Sequence, residues 1–230
     1  MNKIKHLLAA ALAAAAGTAV AATTAFTTDG PSSPEAGVTC TVDFGSGGHA
    51  GFDGLAACDG KVAYVSDDGT TAGPLLPGQV LARGAAGQAA RPVGSDGNFL
   101  TVGPSAGGSV AIVLDTPANY FGFLAGSLDG FNTITFASGD TLVASYTGSD
   151  IARMAGLPDN GDQSLSTYWN LYLGDGILFD SVLLQSTRDA FETDNHAFGR
   201  AATVPSPGAL ALMGLGMIVL GNSLGRRGRR

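Results

Sequence analysis

The sequence predicts an all-β domain, an antiparallel β-sandwich or jelly roll, flanked by two terminal segments of different character. Short apolar and β-branched runs recur along its middle part, and Asp-Gly turn signals separate them at close spacing. Several runs alternate in period two. In Asn132-Thr133-Ile134-Thr135-Phe136, for example, Ile134 and Phe136 share one face, which is typical of a half-buried strand. No long segment of helical period lies between the two ends.

Ten runs form the predicted strands, after a leader that contains prolines and serines and ends near Gly37. The runs are Val38 to Phe44, Lys61 to Val65, Gln79 to Leu81, Asn98 to Val102, Ser109 to Leu114, Tyr120 to Leu124, Thr133 to Phe136, Thr141 to Tyr146, Thr167 to Leu173, and Phe179 to Ser186. The stretch from Gly84 to Gly97 is predicted to be a long loop. Asp150 to Leu157 is predicted to be a short helix, capped by Asp150 and stopped by Pro158. One domain over residues 23–203 accounts for all of these elements, because about 180 residues can bury a sizeable core.

The first 22 residues have the composition of a secretion signal. Lys3 and Lys5 form a positive start, an alanine- and leucine-rich run extends from Leu7 to Val20, and Ala19-Val20-Ala21 supplies small residues for cleavage. As a helix of the mature fold, this run would need burial on every side. Residues 1–22 are therefore predicted to be a signal peptide, and the protein is predicted to be exported.

Between its two ends the chain is strongly acidic. All 19 acidic residues lie there with six of the 12 basic residues, so the net charge of this part is −13, against −7 for the whole chain. Such a surface repels phosphates and anionic lipid head groups, which argues against nucleic acid as a partner. It favours divalent cations, neutral or cationic polymers, or simply solubility.

Cys40 and Cys58 are the only cysteines of the chain. Their even number and export to an oxidising compartment predict a disulfide between them. Closing a loop of this size would stabilise the fold by about 3 kcal/mol in the chain-entropy model. No second cysteine pair and no neighbouring histidine array would complete a metal site around them.

Residues with acid–base or metal-binding chemistry are few. His49 and His196 are isolated and are expected to be solvated loop histidines. No nucleophile elbow, phosphate loop or dinucleotide fingerprint is present, so no catalytic residue and no enzymatic activity is predicted. Calcium is the one candidate cofactor, because loop aspartates supply hard oxygen ligands, and the alternative is that these aspartates only form turns. The candidate ligands are Asp67-Asp68, Asp159 and Asp162 in one loop, and Glu192 with Asp194.

A three-part tail occupies residues 204–230. It begins with Val204, Pro205, Ser206 and Pro207, continues as an apolar run from Gly208 to Gly221, and ends with Arg226, Arg227, Arg229 and Arg230. At about 1.5 Å per residue a helix of this run spans roughly 20 Å, short of the roughly 30 Å hydrocarbon core of a bilayer. It is predicted to be a short transmembrane helix, with the arginines cytoplasmic and the preceding domain outside.

This tail resembles a PEP-CTERM sorting signal, in which a Val-Pro-Glu-Pro-like motif, a transmembrane stretch and an arginine-rich end are recognised by an exosortase. Ser206 stands where the family usually has glutamate. The resemblance implies an exported envelope or surface protein, anchored transiently or stably, with an exosortase-like processing enzyme as partner. The alternative is a plain C-terminal anchor helix.

A second, looser resemblance covers Tyr120 to Ala197. This part is similar to a domain of many exosortase-dependent surface proteins through Tyr120-Phe121-Gly122-Phe123, Gly139-Asp140-Thr141-Leu142, Tyr146-Thr147-Gly148 and Ala190-Phe191-Glu192-Thr193-Asp194-Asn195. The resemblance implies a β-sandwich and carries over no catalytic residue.

Two functions of different classes agree with these observations. The first is a non-enzymatic surface or matrix protein, retained in the envelope or released into extracellular polysaccharide. The second is a carbohydrate-binding module, suggested by Tyr168, Trp169 and Tyr172. Alternation, however, groups Trp169 with Leu171 and Leu173 and places both tyrosines on the opposite face, which indicates a tryptophan in the core.

Overall fold

A computed structural model describes residues 23–30, 32–33, 37–45, 56–58, 60–67, 72–126, 128–158, 167–174 and 176–201. These residues form two antiparallel sheets and one short α-helix, which confirms the prediction of an all-β, sandwich-like fold. The predicted signal peptide, residues 1–22, and the predicted tail, residues 204–230, lie outside this part of the chain.

The described strands are short, as the spacing of the turn signals indicates. In chain order they are β1 (Thr24–Thr28), β2 (Val38–Val42), β3 (Ala56–Ala57), β4 (Val62–Asp67), β5 (Ala72–Gly73), β6 (Val80–Leu81), β7 (Phe99–Thr101), β8 (Ser109–Ala118), β9 (Tyr120–Ala125), β10 (Asn132–Ser138), β11 (Thr141–Thr147), β12 (Thr167–Tyr172), β13 (Phe179–Ser186) and β14 (Glu192–Gly199), with helix α1 (Gly148–Met154) after β11. The first sheet has the order β1-β12-β9-β14-β7-β6, with β2 also paired to β14. The second has the order β11-β10-β13-β8-β4-β3, with β5 paired to β4.

The apolar faces of the two sheets pack on each other and form the main core. Phe121 and Phe123 enter it from β9 of the first sheet, and Ile134 and Phe136 enter it from β10 of the second. The rings of Phe121 and Phe136 meet edge to face with centroids 6.3 Å apart. The period-two pattern of β10 therefore indicated the correct buried face.

Strand β12 confirms the predicted alternation around Trp169. Trp169, Leu171 and Leu173 belong to the main core, whereas Tyr168 and Tyr172 lie on the opposite face of the first sheet. Both tyrosines are nevertheless buried there. The sheet is therefore covered on its outer face as well.

A cluster of tyrosine side chains, here called the tyrosine cluster, packs on this outer face. Tyr120, Tyr168 and Tyr172 pack there with Leu124, Ala197 and Ala201. The Tyr120 hydroxyl donates to Asn170 Oδ1 at 2.8 Å, and the Tyr168 hydroxyl donates to the Asn195 carbonyl at 2.8 Å. These bonds satisfy the hydroxyl groups of Tyr120 and Tyr168 in a buried setting, where an unpaired hydroxyl would be costly.

Helix α1 begins earlier than predicted. Its N-cap is Thr147 rather than Asp150, and Asp150 occupies the third helical position of a capping box. The Asp150 carboxylate accepts from the Thr147 backbone N–H at 3.0 Å, and its hydrogen bonds to Thr147 lower its pKa. The helix ends at Met154, before Pro158.

No helix in the described ranges is long and apolar enough to cross a membrane.

The largest departure from the sequence prediction concerns β1 and β14. Thr24–Thr28 lies within the predicted leader but pairs with β12 at the edge of the first sheet. Glu192–Gly199 was not predicted as a strand, yet it lies within that sheet and pairs with β9, β7 and β2. The sequence does not reveal this strand, because a period-two pattern is recognised from alternating apolar residues and β14 contains many polar ones. The predicted loop from Gly84 to Gly97 is confirmed, with only an isolated bridge between Ala85 and Ala89.

Cys40 and Cys58 are bonded, in agreement with the prediction, and their Cα atoms are 5.8 Å apart. Cys40 lies in β2 of the first sheet, and Cys58 directly follows β3 of the second. The disulfide therefore fastens one sheet to the other.

Gly122 tests how tightly the tyrosine cluster covers the first sheet. A Cβ at this position of β9 would collide with the Tyr120 hydroxyl and would lie 2.7 Å from Cε1 and 2.8 Å from the hydroxyl of Tyr168. We predict that Gly122→Ala lowers the free energy of unfolding by about 2–4 kcal/mol, measured by denaturant titration. The matched control is Gly73→Ala, where the new methyl meets no atom within 4 Å. Equal stability of the two variants would contradict close packing at Gly122.

Candidate functional site

Strand β14 carries three of the four buried Asp, Glu and His side chains of the described residues. Thr193 lies opposite Leu100 of β7 and Ala125 of β9, both of which are buried on the inner side of the sheet. Because directly opposed residues share a face, Thr193 points into the sandwich. Glu192 and Asp194, its neighbours, point to the outer face, where Asp194 lies opposite Leu124 of the tyrosine cluster.

A β-bulge at Asn195 then reverses the alternation. The register shifts between Asp194 and Ala197, and Asn195 has a positive φ of 50°. The extra residue lets His196 point inward, on the same side as Thr193. Ala197 returns to the outer face, where it packs in the tyrosine cluster.

His196 is fully buried between the sheets, so the expectation of a solvated loop histidine was wrong. Its Nδ1 is hydrogen-bonded to the Tyr64 hydroxyl at 2.9 Å, and its Nε2 is hydrogen-bonded to Thr193 Oγ1 at 2.8 Å. The rings of Phe44 and Phe121 pack edge-on against the imidazole, with centroid distances of 5.1 and 5.4 Å. Burial lowers the pKa of His196 to about 3, so the ring is neutral and both nitrogens are occupied. His49 lies outside the described residues.

Glu192 and Asp194 form a buried acidic pair on the outer face of the first sheet. Their exposed fractions are 5% and 1%. Burial raises the pKa of Glu192 to about 7 and that of Asp194 to about 6. Glu192 Oε1 accepts from the Ala90 backbone N–H at 3.2 Å, and Asp194 Oδ1 accepts from the Asn195 N–H at 2.7 Å. Perturbed carboxyl groups of this kind are candidates for functional residues.

An open cavity of about 520 Å³, here called the acidic cleft, adjoins Glu192. The loop Gly84–Ala90 forms one side, and Asp189, Ala190 and Glu192 form the other. Asp189 is already engaged, because its carboxylate accepts from the Ser105 N–H at 2.9 Å and lies 2.6 Å from the Ser105 hydroxyl. The acidic cleft therefore adjoins a carboxyl group, that of Glu192, whose pKa is raised by burial.

Among the described residues, one pair of the predicted calcium ligands lies on the same face of a strand. Glu192 and Asp194 share the outer face of β14, whereas Asp159 and Asp162 lie outside the described residues. Asp67 is buried in β4, and its neighbour Asp68 is not described. Within the described ranges, no group of three or more His, Cys, Asp or Glu side chains could hold a metal ion. Calcium binding stays a prediction.

The aromatic residues that suggested sugar binding do not form an exposed platform. Tyr168, Trp169 and Tyr172 are all buried, the tryptophan in the main core and the tyrosines in the tyrosine cluster. Sequence reasoning missed the pairing of His196 with Tyr64, because the two residues are 132 positions apart. No local pattern encodes such a contact.

Glu192 makes the stability of the domain depend on pH in a defined direction. Its pKa rises from an ordinary 4.5 to about 7 on folding, so the folded state binds more protons between these values and loses stability as pH increases. We predict that Glu192→Gln, which keeps an acceptor for the Ala90 N–H, is more stable than the parent at pH 8 by roughly 1–3 kcal/mol and similar to it at pH 4.

Chemical denaturation across this pH range measures the difference between parent and variant. The matched control is Asp140→Asn, which neutralises an exposed carboxylate. If Glu192→Gln followed the parent at pH 8 as closely as the control does, Glu192 would not carry a buried charge in the folded protein.

Comparison with known proteins does not assign the chain to a family. The chain matches no protein-family model, no curated protein and no solved structure.

Proposed function

We propose that the chain is an exported cell-envelope or extracellular-matrix protein, sorted by an exosortase-type system and non-enzymatic in its β-sandwich domain. The observation that carries the proposal is the order of features in residues 204–230: a Pro-containing motif at Val204–Pro207, an apolar run, and an arginine cluster. The Lys-led, alanine-rich segment of residues 1–22 supports export from the other end.

The disulfide supports an oxidising location for the domain. Cys40 and Cys58 are joined, and the described residues contain no free cysteine. Disulfides of this structural kind persist outside the reducing cytosol. A bond between the two sheets would also help an exposed surface protein to resist unfolding.

Hydrogen bonds hold Ala201, the last described residue, shortly before the Val204–Pro207 motif. Ala201 makes two hydrogen bonds with the side chain of Asn119: its N–H donates to Oδ1 at 3.0 Å, and its carbonyl accepts from Nδ2 at 3.1 Å. Val204 follows three positions later in the chain. A short tether of this kind would place the motif close to the folded domain, with the apolar run behind it as the membrane signal.

The interior of the domain supports a non-enzymatic role. His196, the one histidine of the described chain, has both nitrogens bonded inside the core. The carboxyl groups of Glu192 and Asp194 accept hydrogen bonds from the backbone N–H groups of Ala90 and Asn195. The alternative function is binding to extracellular polysaccharide. Because the aromatic residues that suggested sugar binding are buried, a polysaccharide would have to bind another surface. A glycan array with the purified protein tests this alternative.

The proposal predicts removal of the arginine tail. In cells that contain an exosortase, mass spectrometry of the mature protein should find a C-terminus upstream of Arg226, because processing separates the domain from its membrane signal. Replacing Arg226, Arg227, Arg229 and Arg230 by glutamate should cause the uncleaved precursor to accumulate, since the positive end holds the tail in its orientation.

The control for charge alone is Arg83→Glu, an exposed substitution in the folded domain that should leave processing unchanged. Recovery of intact protein ending at Arg230 from exosortase-positive cells would reduce the tail to an ordinary anchor.

A further inference from the structure

A second cavity opens at one end of the sandwich, between the two sheets. It has a volume of about 380 Å³ and is lined by the ends of β2 and β14 from the first sheet and of β4 and β8 from the second. We call it the end cleft and define it by Lys61, Val62, Leu114, Ala118, Phe198 and Arg200. Its volume lies in the range of small-molecule sites, roughly 300–1,000 Å³.

The floor of the end cleft is the main core itself. Val62, Leu114, Ala118 and Phe198 line the cavity and belong to the hydrophobic cluster between the sheets. A ligand that reached this floor would have to present an apolar body, because the floor offers no partners for hydroxyl groups. This argues against a neutral sugar in the cavity.

Two cations, Lys61 and Arg200, line the rim of the end cleft, and Asp115 adjoins Lys61, because the Asp115 N–H donates to the Lys61 carbonyl at 2.8 Å. Both cations are exposed, and no Asp or Glu is among the described lining residues of the cleft. The Arg200 Nε donates to the Pro117 carbonyl at 3.1 Å, which fixes the guanidinium beside the opening. The ion pair of the described chain, between Arg153 and Asp150, lies elsewhere. Two of the six basic residues of a segment with charge −13 therefore meet at one cavity.

The walls of the end cleft are held in place before any ligand binds. Cys40 lines the cavity and is bonded to Cys58, which ties the two sheets together at this point. Gly37 and Gly199 also line it, and a Cβ at Gly199 would collide with the Gly37 carbonyl, so β2 and β14 approach closely there. Preformed walls lower the ordering cost of binding.

We propose that the end cleft binds an alkyl carboxylate of the fatty-acid type. The carboxylate would lie between Lys61 of the second sheet and Arg200 of the first, since guanidinium and ammonium groups form charge-assisted hydrogen bonds with carboxylates. The alkyl chain would cover Val62, Leu114 and Phe198. The ligand thus matches both the cations of the rim and the apolar floor, and the proposal does not depend on how the tail is processed.

Octanoate, below its micelle concentration, is the probe, and 1-octanol is its neutral counterpart of equal chain length. Isothermal titration of the full chain should show one octanoate site, with octanol binding at least about tenfold more weakly. Lys61→Gln and Arg200→Gln should each weaken octanoate binding about three- to tenfold, the effect expected for loss of one charged partner. Both residues are exposed, so these variants should keep the fold.

Two further variants separate the end cleft from other apolar parts of the chain. Thr116→Trp, an exposed lining position, should fill the opening and abolish the site while leaving both cations. Arg83→Gln removes an exposed cation outside the cleft and should leave the affinity unchanged. The proposal is overturned if millimolar octanoate gives no binding, if octanol binds as tightly, or if Lys61→Gln and Arg200→Gln change the affinity no more than Arg83→Gln does.

Discussion

The hydrogen bond between Tyr64 and His196 is the interaction on which the rest of this structure depends. It joins β4 of one sheet to β14 of the other inside the core, at 2.9 Å and with both side chains fully buried. A buried polar group left without a partner costs roughly 1–3 kcal/mol. A shift in the register of either strand would therefore lower the stability of the fold. The pair therefore fixes how the two sheets align, and Thr193 completes it by binding the second imidazole nitrogen.

The bulge at Asn195 connects this core pair to the outer face of the first sheet. It lets His196 point inward, on the same side as Thr193, while Asp194 points to the outer face. The Tyr168 hydroxyl donates to the Asn195 carbonyl, so the tyrosine cluster holds the bulge from outside. Strand β14 therefore connects three features: the alignment of the two sheets in the core, the buried side chains of Glu192 and Asp194, and the tyrosine cluster on the outer face. The end cleft lies farther along the same strand, where Phe198 forms part of its floor.

The sequence indicates those elements whose stabilising contacts are local or apolar. The faces of β10 and β12 follow from alternation, and the disulfide follows from having only Cys40 and Cys58 to pair. Strand β14 could not be predicted, because its polar side chains are satisfied by distant partners: His196 by Tyr64, and Glu192 by Ala90. The acidic residues Glu192 and Asp194 were singled out by type alone, whereas their burial and raised pKa values depend on the fold.

His196 is a neutral structural residue that fixes the alignment of the two sheets, and the protonation of its imidazole can be followed directly. NMR of the imidazole, labelled with ¹⁵N, should show both nitrogens hydrogen-bonded and no protonation until pH falls toward the pKa of about 3. Because that pKa lies below the ordinary value of 6.5, the contribution of His196 to stability should be present above pH 6.5 and be lost as pH falls toward 3. A histidine that titrates near 6.5 in the folded protein would contradict the buried pair with Tyr64 and the sheet alignment built on it.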